Sequence, residues 1–240
     1  MRNPLRQLGL AGLAALALAS PARTQDNPSI DLGLSLANPY LVSRGFQPSD
    51  ELNLQPSIDL IVPVEKGKVT FGYWGDFNKD GRFETDWTIT YNCTLGKVPH
   101  LGALTGQVAL NQYNVPDLKL EEWNGSVQLS DHVLAPKVFV AADFRDGKGN
   151  VAELSVNPHF KLGPLNLDTT LAALYNDHYA TDRSGWSGIR ADVSAPFKIA
   201  PGTTLTLGAR FFHATRDDFE DHTAFKATLS HHFDLSRTPK

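Results

Sequence analysis

Residues 83–95 read FETDWTITYNCTL, and the fold follows from them. The odd positions hold Phe83, Thr85, Trp87, Ile89, Tyr91, Cys93 and Leu95; the even ones hold Glu84, Asp86, Thr88, Thr90, Asn92 and Thr94. Side chains on a strand point alternately to its two faces, so this stretch predicts one apolar face and one polar or charged face. One such strand fits any sandwich. The same alternation recurs and predicts strands over 30–37, 53–64, 68–77, 83–95, 102–113, 118–130, 133–144, 151–162, 164–176, 186–198, 203–213 and 222–233.

The connections between them alternate in length. One set is short: Glu65-Lys66-Gly67, Gly96 to Leu101, Asp131-His132, Gly163-Pro164 and Ile199 to Gly202. The other is mostly longer and more charged: Asn38 to Leu52, Asn78 to Arg82, Asn114 to Asp117, Arg145 to Asn150, Asp177 to Gly185 and Ala214 to Asp221. Short turns at one end and long loops at the other are the pattern of an outer-membrane barrel. The expected fold is all-β: an antiparallel transmembrane barrel of about twelve strands, or ten if assignments merge.

Residues 1–19 read as a signal peptide. Arg2 and Arg6 give the positive start, Leu8 to Ala19 the apolar run, and Ala17-Leu18-Ala19 a small-x-small cleavage site. Twelve apolar residues reach only ~18 Å as a helix, too short to anchor across a ~30 Å hydrocarbon core. The expected organisation is a leader over 1–19, a barrel over 20–233 and a short C-terminal extension over 234–240. The formal charge of −4 becomes −6 without Arg2 and Arg6, which is not the footprint of a nucleic-acid binder. Cys93 is the one cysteine, so no intrachain disulfide forms.

Aromatics gather at the loop ends of the strands: Phe77, Phe83, Trp87, Tyr113, Trp123, Phe144, Tyr175 and Trp186. Rings at that level suit an interfacial girdle against outer-membrane lipids. Pro56, Pro136, Pro158 and Pro196 fall inside assigned strands, where each removes a ladder donor and implies a bulge, an edge or a shifted boundary. The last strand alternates Phe225, Ala227, Leu229, His231 and Phe233. An alternating strand ending in Phe is similar to the carboxy-terminal signal read by the outer-membrane assembly machinery, although seven residues follow it here.

The segment from Leu36 to Leu60 holds Tyr40, Arg44-Gly45, Gln55-Pro56 and Asp59. Phe71-Gly72-Tyr73-Trp74-Gly75 follows, then Glu84-Thr85-Asp86 leading into Tyr91, then Tyr113 and Pro116. Together these resemble the TorF family of proteobacterial outer-membrane porins, over about residues 30–145. Trp87-Thr88-Ile89 replaces the family's usual aromatic pairs. The resemblance implies an outer-membrane barrel and no particular substrate.

In a barrel the polar faces line the interior. Glu84, Asp86, Glu122, Asp143 and Glu153 then fall on strands four to eight, and Arg190, Arg210 and Lys226 on strands ten to twelve, all toward the loop end. Acids on one wall and bases on the other would set a transverse field that orients dipolar solutes. The alternative is that these charges pair and fill the lumen. Counting Asp31, Asp59, Asp168 and Asp192 as well gives nine acids; Lys137 and Lys161 bring the bases to five, which predicts a weak cation preference. Trp74 and Phe139 point inward, and Arg44 in the first long loop is a candidate constriction residue.

Asp177-His178 and Asp217-Asp218 faintly resemble the acidic and Asp/His pairs of outer-membrane aspartyl-type proteases, but adjacent strand residues point to opposite faces. No nucleophile signature, phosphate loop, dinucleotide fingerprint or metal-ligand spacing is present. The expected function is passive passage of small hydrophilic solutes or ions, with no catalytic residue, metal or cofactor. Three alternatives remain open: a non-conducting barrel acting through its external loops in adhesion or as a complex partner, an outer-membrane hydrolase, and a soluble β-sandwich.

Overall fold

Alternation along each strand and pairing between strands produce one antiparallel sheet that closes on itself. A computed structural model describes residues 27–39, 50–79, 83–115, 118–145, 149–179 and 181–235, with backbone alone at 83, 118 and 119. Thirteen strand segments occur among them: β1 (Ser29–Asn38), β2 (Asn53–Val64), β3 (Gly67–Phe77), β4 (Phe83–Val98), β5 (Gly102–Val115), β6 (Leu118–Leu129), β7 (Lys137–Asp143), β8 (Asn150–Val156), β9 (His159–Leu162), β10 (Leu165–Asp177), β11 (Ser184–Ala200), β12 (Thr203–Ala214) and β13 (His222–Asp234). Each spanning strand pairs with its sequence neighbours, and β13 returns to pair with β1, Phe233 opposite Ile30. Both β8 and β9 pair with β10 and are halves of one spanning strand. The result is a closed barrel of twelve strands, so the ten-strand option falls away.

Closure matters because hydrocarbon offers backbone groups no hydrogen bonds; a barrel pairs them all between strands. Its outer face is apolar, with Leu34, Ile58, Leu60, Phe71, Ile89, Leu154, Leu171 and Leu207 exposed. Near the loop end, Tyr73 packs on Trp87 at 4.8 Å and Tyr175 meets Trp186 edge-on at 5.7 Å. Those rings form part of an outward aromatic belt. Tyr113, expected in that belt, faces the lumen instead, because it shares parity with the inward Asn111.

Prolines account for two changes of boundary. The strand expected from 133 starts at Lys137, and the two-residue turn Asp131-His132 widens to span Ser130–Pro136. Pro136 has no N–H, and Ala135 sits at φ 39°, so this backbone cannot continue a ladder. Its carbonyls are used instead: Pro136 O accepts from Leu129 N, and Leu134 O from Asn157 N. The strand expected over 151–162 breaks at Asn157-Pro158 into β8 and β9. Pro196 lies just past Ser194, the last β11 residue paired with β10, so its missing donor faces no broken rung there. Elsewhere pairing extends beyond expectation: β4 to Val98, β5 to Val115, β11 over 184–200, and β13 to Asp234 opposite Ser29. The leader, Arg44, Pro116 and residues 236–240 lie outside the described residues.

Candidate functional site

The inward faces place charge in a belt toward the loop end. Asp76 projects from β3, Glu84 and Asp86 from β4, Glu122 from β6, Asp143 from β7 and Glu153 from β8. Arg190, Arg210 and Lys226 project from β11, β12 and β13. Register sets Asp76 opposite Glu84, Trp74 opposite Asp86, and Asp86 opposite Tyr113.

The two sets are not held apart at the β8–β11 side. The Arg190 fork grips Glu153, Nη1 to Oε2 at 2.8 Å and Nη2 to Oε1 at 3.2 Å. Arg190 is on β11 and Glu153 on β8, with β10 between them. Ala172 on β10, in register with Arg190 and with Ser155, is small enough for the guanidinium to pass over. Arg190 Nε also donates to Asp192 at 2.9 Å, and Arg210 Nε to the other Asp192 oxygen at 2.6 Å. Opposed walls therefore give way here to an ion-paired network. Bidentate geometry and burial make such contacts strong.

Glu122 is wholly buried, yet it is satisfied. Oε1 accepts from Asn111 Nδ2 (3.2 Å), Tyr113 Oη (3.1 Å) and Asn124 Nδ2 (3.1 Å); Oε2 accepts from Tyr179 Oη at 2.6 Å. Tyr179 belongs to the connection after β10, so that loop segment enters the lumen. Its ring packs on Ala141 and Val151, with Phe139 alongside. Asp143 is buried too and ties the rim, accepting from the backbone N–H of Glu121 and of Arg145, both at 3.1 Å.

Space remains at two levels. A cavity of about 450 Å³ opens between Trp74 and Tyr113 on one side and Arg210 and Lys226 on the other. A wider cavity of about 1220 Å³ occupies the turn end, where Lys68, Lys137, Gln107 and Asp31 line it. There His232 bridges Asp31 at 2.5 Å and Asp234 at 3.2 Å.

The loop rim carries further ion pairs. Arg183 meets Asp217 at 2.7 Å, and Arg216 bonds Asp218. The Arg183 guanidinium holds the Asp217 carboxyl below the usual carboxylate range, and Arg216 does the same for Asp218. Asp221 is lowered by the backbone N–H of Ala214 and then by His213. Also at the rim, Asp177, His178 and Ser184 bring the residue types of a hydrolase triad together. Both Asp177 and the Ser184 hydroxyl, however, address the same ring nitrogen, Nδ1 of His178. A relay needs the acid on one nitrogen and the nucleophile on the other. Among the described residues no cluster of three His, Cys, Asp or Glu is placed to hold a metal.

Sequence reasoning passed over Asp76, Asn111, Asn124 and Tyr179. Parity alone places the first three in the lumen. Nothing local in the sequence marks Tyr179 as an inward loop residue.

No family model matches the sequence, and no curated protein matches it. Solved structures do. The KdgM porin superposes with a TM-score of 0.53 at 9% identity, over 85% of this chain and 98% of that one. The COG4313 outer membrane channel from Pseudomonas putida F1 superposes with a TM-score of 0.54 at 11% identity, over 89% of this chain and 97% of that one. At such identities the likeness is one of fold: this chain has the closed barrel found in outer-membrane channels.

Proposed function

We propose that this chain is an outer-membrane, porin-like channel that passes small hydrophilic solutes or ions by passive diffusion, with a weak cation preference. The observation that carries the reading is a polar lumen with open space at both levels, enclosed by a lipid-facing apolar wall. The loop end would face outward and the turn end the periplasm. Membership of the TorF family and export by a cleaved leader belong to the same reading. So does recognition of the β13 strand, through Phe233, by the outer-membrane assembly machinery.

Glu84, Asp86, Glu122, Asp143, Glu153, Arg190, Arg210, Lys226 and Trp74 are the proposed pore-lining set, with Arg44 as an added loop element. With Asp76 and Asp192, acids outnumber bases in the loop half of the lumen, which supports the cation preference. No chemical step is assigned. Single-channel recording of the refolded barrel in a planar bilayer under a salt gradient tests the reading. Discrete steps with a cation-selective reversal potential are expected; a folded barrel without steps overturns it.

One observation favours a second reading. Tyr179 enters the lumen from a loop and seals Glu122. A barrel closed in this way would act through its external loops, and the same recording would then stay silent.

A further inference from the structure

The cavity of about 450 Å³ differs electrostatically from the lumen around it. Its ionised lining consists of Arg210, Lys226 and Asp192, a net positive set. Both Asp192 oxygens are already bonded, one to Arg210 and one to Arg190. Elsewhere in the belt, Glu122 is buried under four donors and Glu153 is held by the Arg190 fork. Asp76, the carboxylate within electrostatic reach of Lys226, accepts from Gln55 Nε2 at 3.1 Å. Asp86 stands in register between Trp74 and Tyr113 but is not among the residues lining the cavity, whose ionised set is net positive by one charge.

Small residues create the space. Lys226 pairs in register with Ala37 on β1 and with Gly208 on β12, and Arg210 pairs with Ala224 on β13. Beside Lys226 the inward neighbours are thus a methyl group or none, while Arg210 has Ala224 on one side and Asp192 on the other. Trp74 from β3 and Tyr113 from β5 line the same cavity and give it aromatic surface. The volume lies within the ~300–1,000 Å³ range of small-molecule pockets.

We infer that this cavity is a binding subsite for a small, ring-bearing organic carboxylate. Lys226 binds the carboxylate through a charge-assisted hydrogen bond, and Arg210, forked on Asp192, lines the cavity beside it. Trp74 supplies a flat face for the ring. A pore can prefer cations through its long-range field and still hold such an anion by local contacts. The inference gives the proposed channel a solute class and rests on that reading only for the solute's route in.

The test is isothermal titration of the detergent-refolded barrel, beside the bilayer recording. The probes are benzoate and glucuronate, which carry a carboxylate on an aromatic and on a sugar ring, with benzyl alcohol and glucose as neutral counterparts. At least one carboxylate is expected to bind, its neutral counterpart at least tenfold more weakly. Comparison of the two carboxylates tells which ring is preferred. Lys226→Met is expected to lower carboxylate affinity at least tenfold and Lys226→Arg to restore it. Lys68→Met, in the wide cavity, is expected to leave it unchanged. Trp74→Leu, on another strand, weakens binding independently should Lys226→Met fail to fold. Absence of binding by both carboxylates, equal binding of neutral counterparts, or full affinity in Lys226→Met overturns the subsite. Binding to a barrel that does not conduct leaves the subsite standing and removes the channel; conduction without binding does the reverse.

Discussion

Tyr179 Oη donates to Glu122 Oε2 over 2.6 Å, joining a loop residue to a β6 carboxylate 57 positions earlier in the chain. This contact brings a loop ring into the lumen beside Glu122. It also completes the hydrogen bonding of a carboxylate that is wholly buried. A buried charge with an unfilled acceptor position is costly, so the loop and the acid stabilise one another.

Tyr179→Phe keeps the ring packed on Ala141 and Val151 but removes the donor. The expected loss is about 1.5–3 kcal/mol, the scale of a hydrogen bond to a charged group. Denaturant unfolding in lipid vesicles, followed by tryptophan fluorescence, measures it. Tyr179→Ala also removes the ring, so conductance in the bilayer should rise above that of the unsubstituted barrel. An unchanged conductance would mean that the loop does not narrow the pathway.

The Arg190–Glu153–Asp192–Arg210 network should respond asymmetrically. Arg190→Met strands Glu153, while Asp192 keeps Arg210, and the Arg190 and Glu153 side chains are only 7% and 13% exposed. The expected cost is about 3–5 kcal/mol, as for breaking one partner of a buried pair. Glu153→Gln should cost less, because Arg190 keeps Asp192. A double-mutant cycle reads the coupling. Additive single changes would show that the two side chains do not interact in the folded barrel.

The strands were largely legible because alternation has period two and survives any barrel geometry. Leu54, Ile58 and Leu60 face lipid, and Gln55, Ser57 and Asp59 face inward, as parity requires. Parity failed where the ladder slips or ends: the bulge opposite Leu174 and Tyr175 turns Trp186 outward although it shares parity with Arg190. Pro136 and Ala135 shortened β7, and Pro158 split β8 from β9, since a missing donor does not tell a strand end from a tolerated interruption. The lumen was read in part. Which strand carries each charge follows from pattern, but which charges meet depends on reach across neighbours. Arg190 meets Glu153 across β10, where Ala172 is in register with Arg190 and Leu174 with Glu153, a three-strand relation that no local window contains. Tyr179 was illegible for a similar reason: its partner, Glu122, is distant in sequence.

Cation preference should fall when the β4 acids are neutralised. Glu84 and Asp86 lie on the inward face of β4, in register with Asp76 and Trp74. Glu84→Gln with Asp86→Asn removes two negative charges from the loop half of the lumen with little change of volume. The reversal potential under a salt gradient should move toward zero, and the effect should shrink at high ionic strength as screening shortens the field. A reversal potential that stays put would place the selecting charges elsewhere.

The loop rim should be stable to acid until the carboxylates themselves protonate. Asp217 faces Arg183 and Asp218; Asp218 faces Arg216 and Thr181; Asp221 faces the Ala214 N–H at 2.8 Å together with His213 and His222. All three carboxyls are lowered in the folded state, so the folded rim prefers them charged. A lowered carboxylate contributes fully above its unfolded value, about 3.9, and loses that contribution as pH falls through the folded value. The contacts should therefore persist from neutral pH down to about pH 4 and release below it. Hydrogen exchange of the Ala214 amide, which donates to Asp221, measures this once rates are corrected for intrinsic pH dependence. Protection lost already between about pH 6 and pH 5 would point to histidine rather than to these acids.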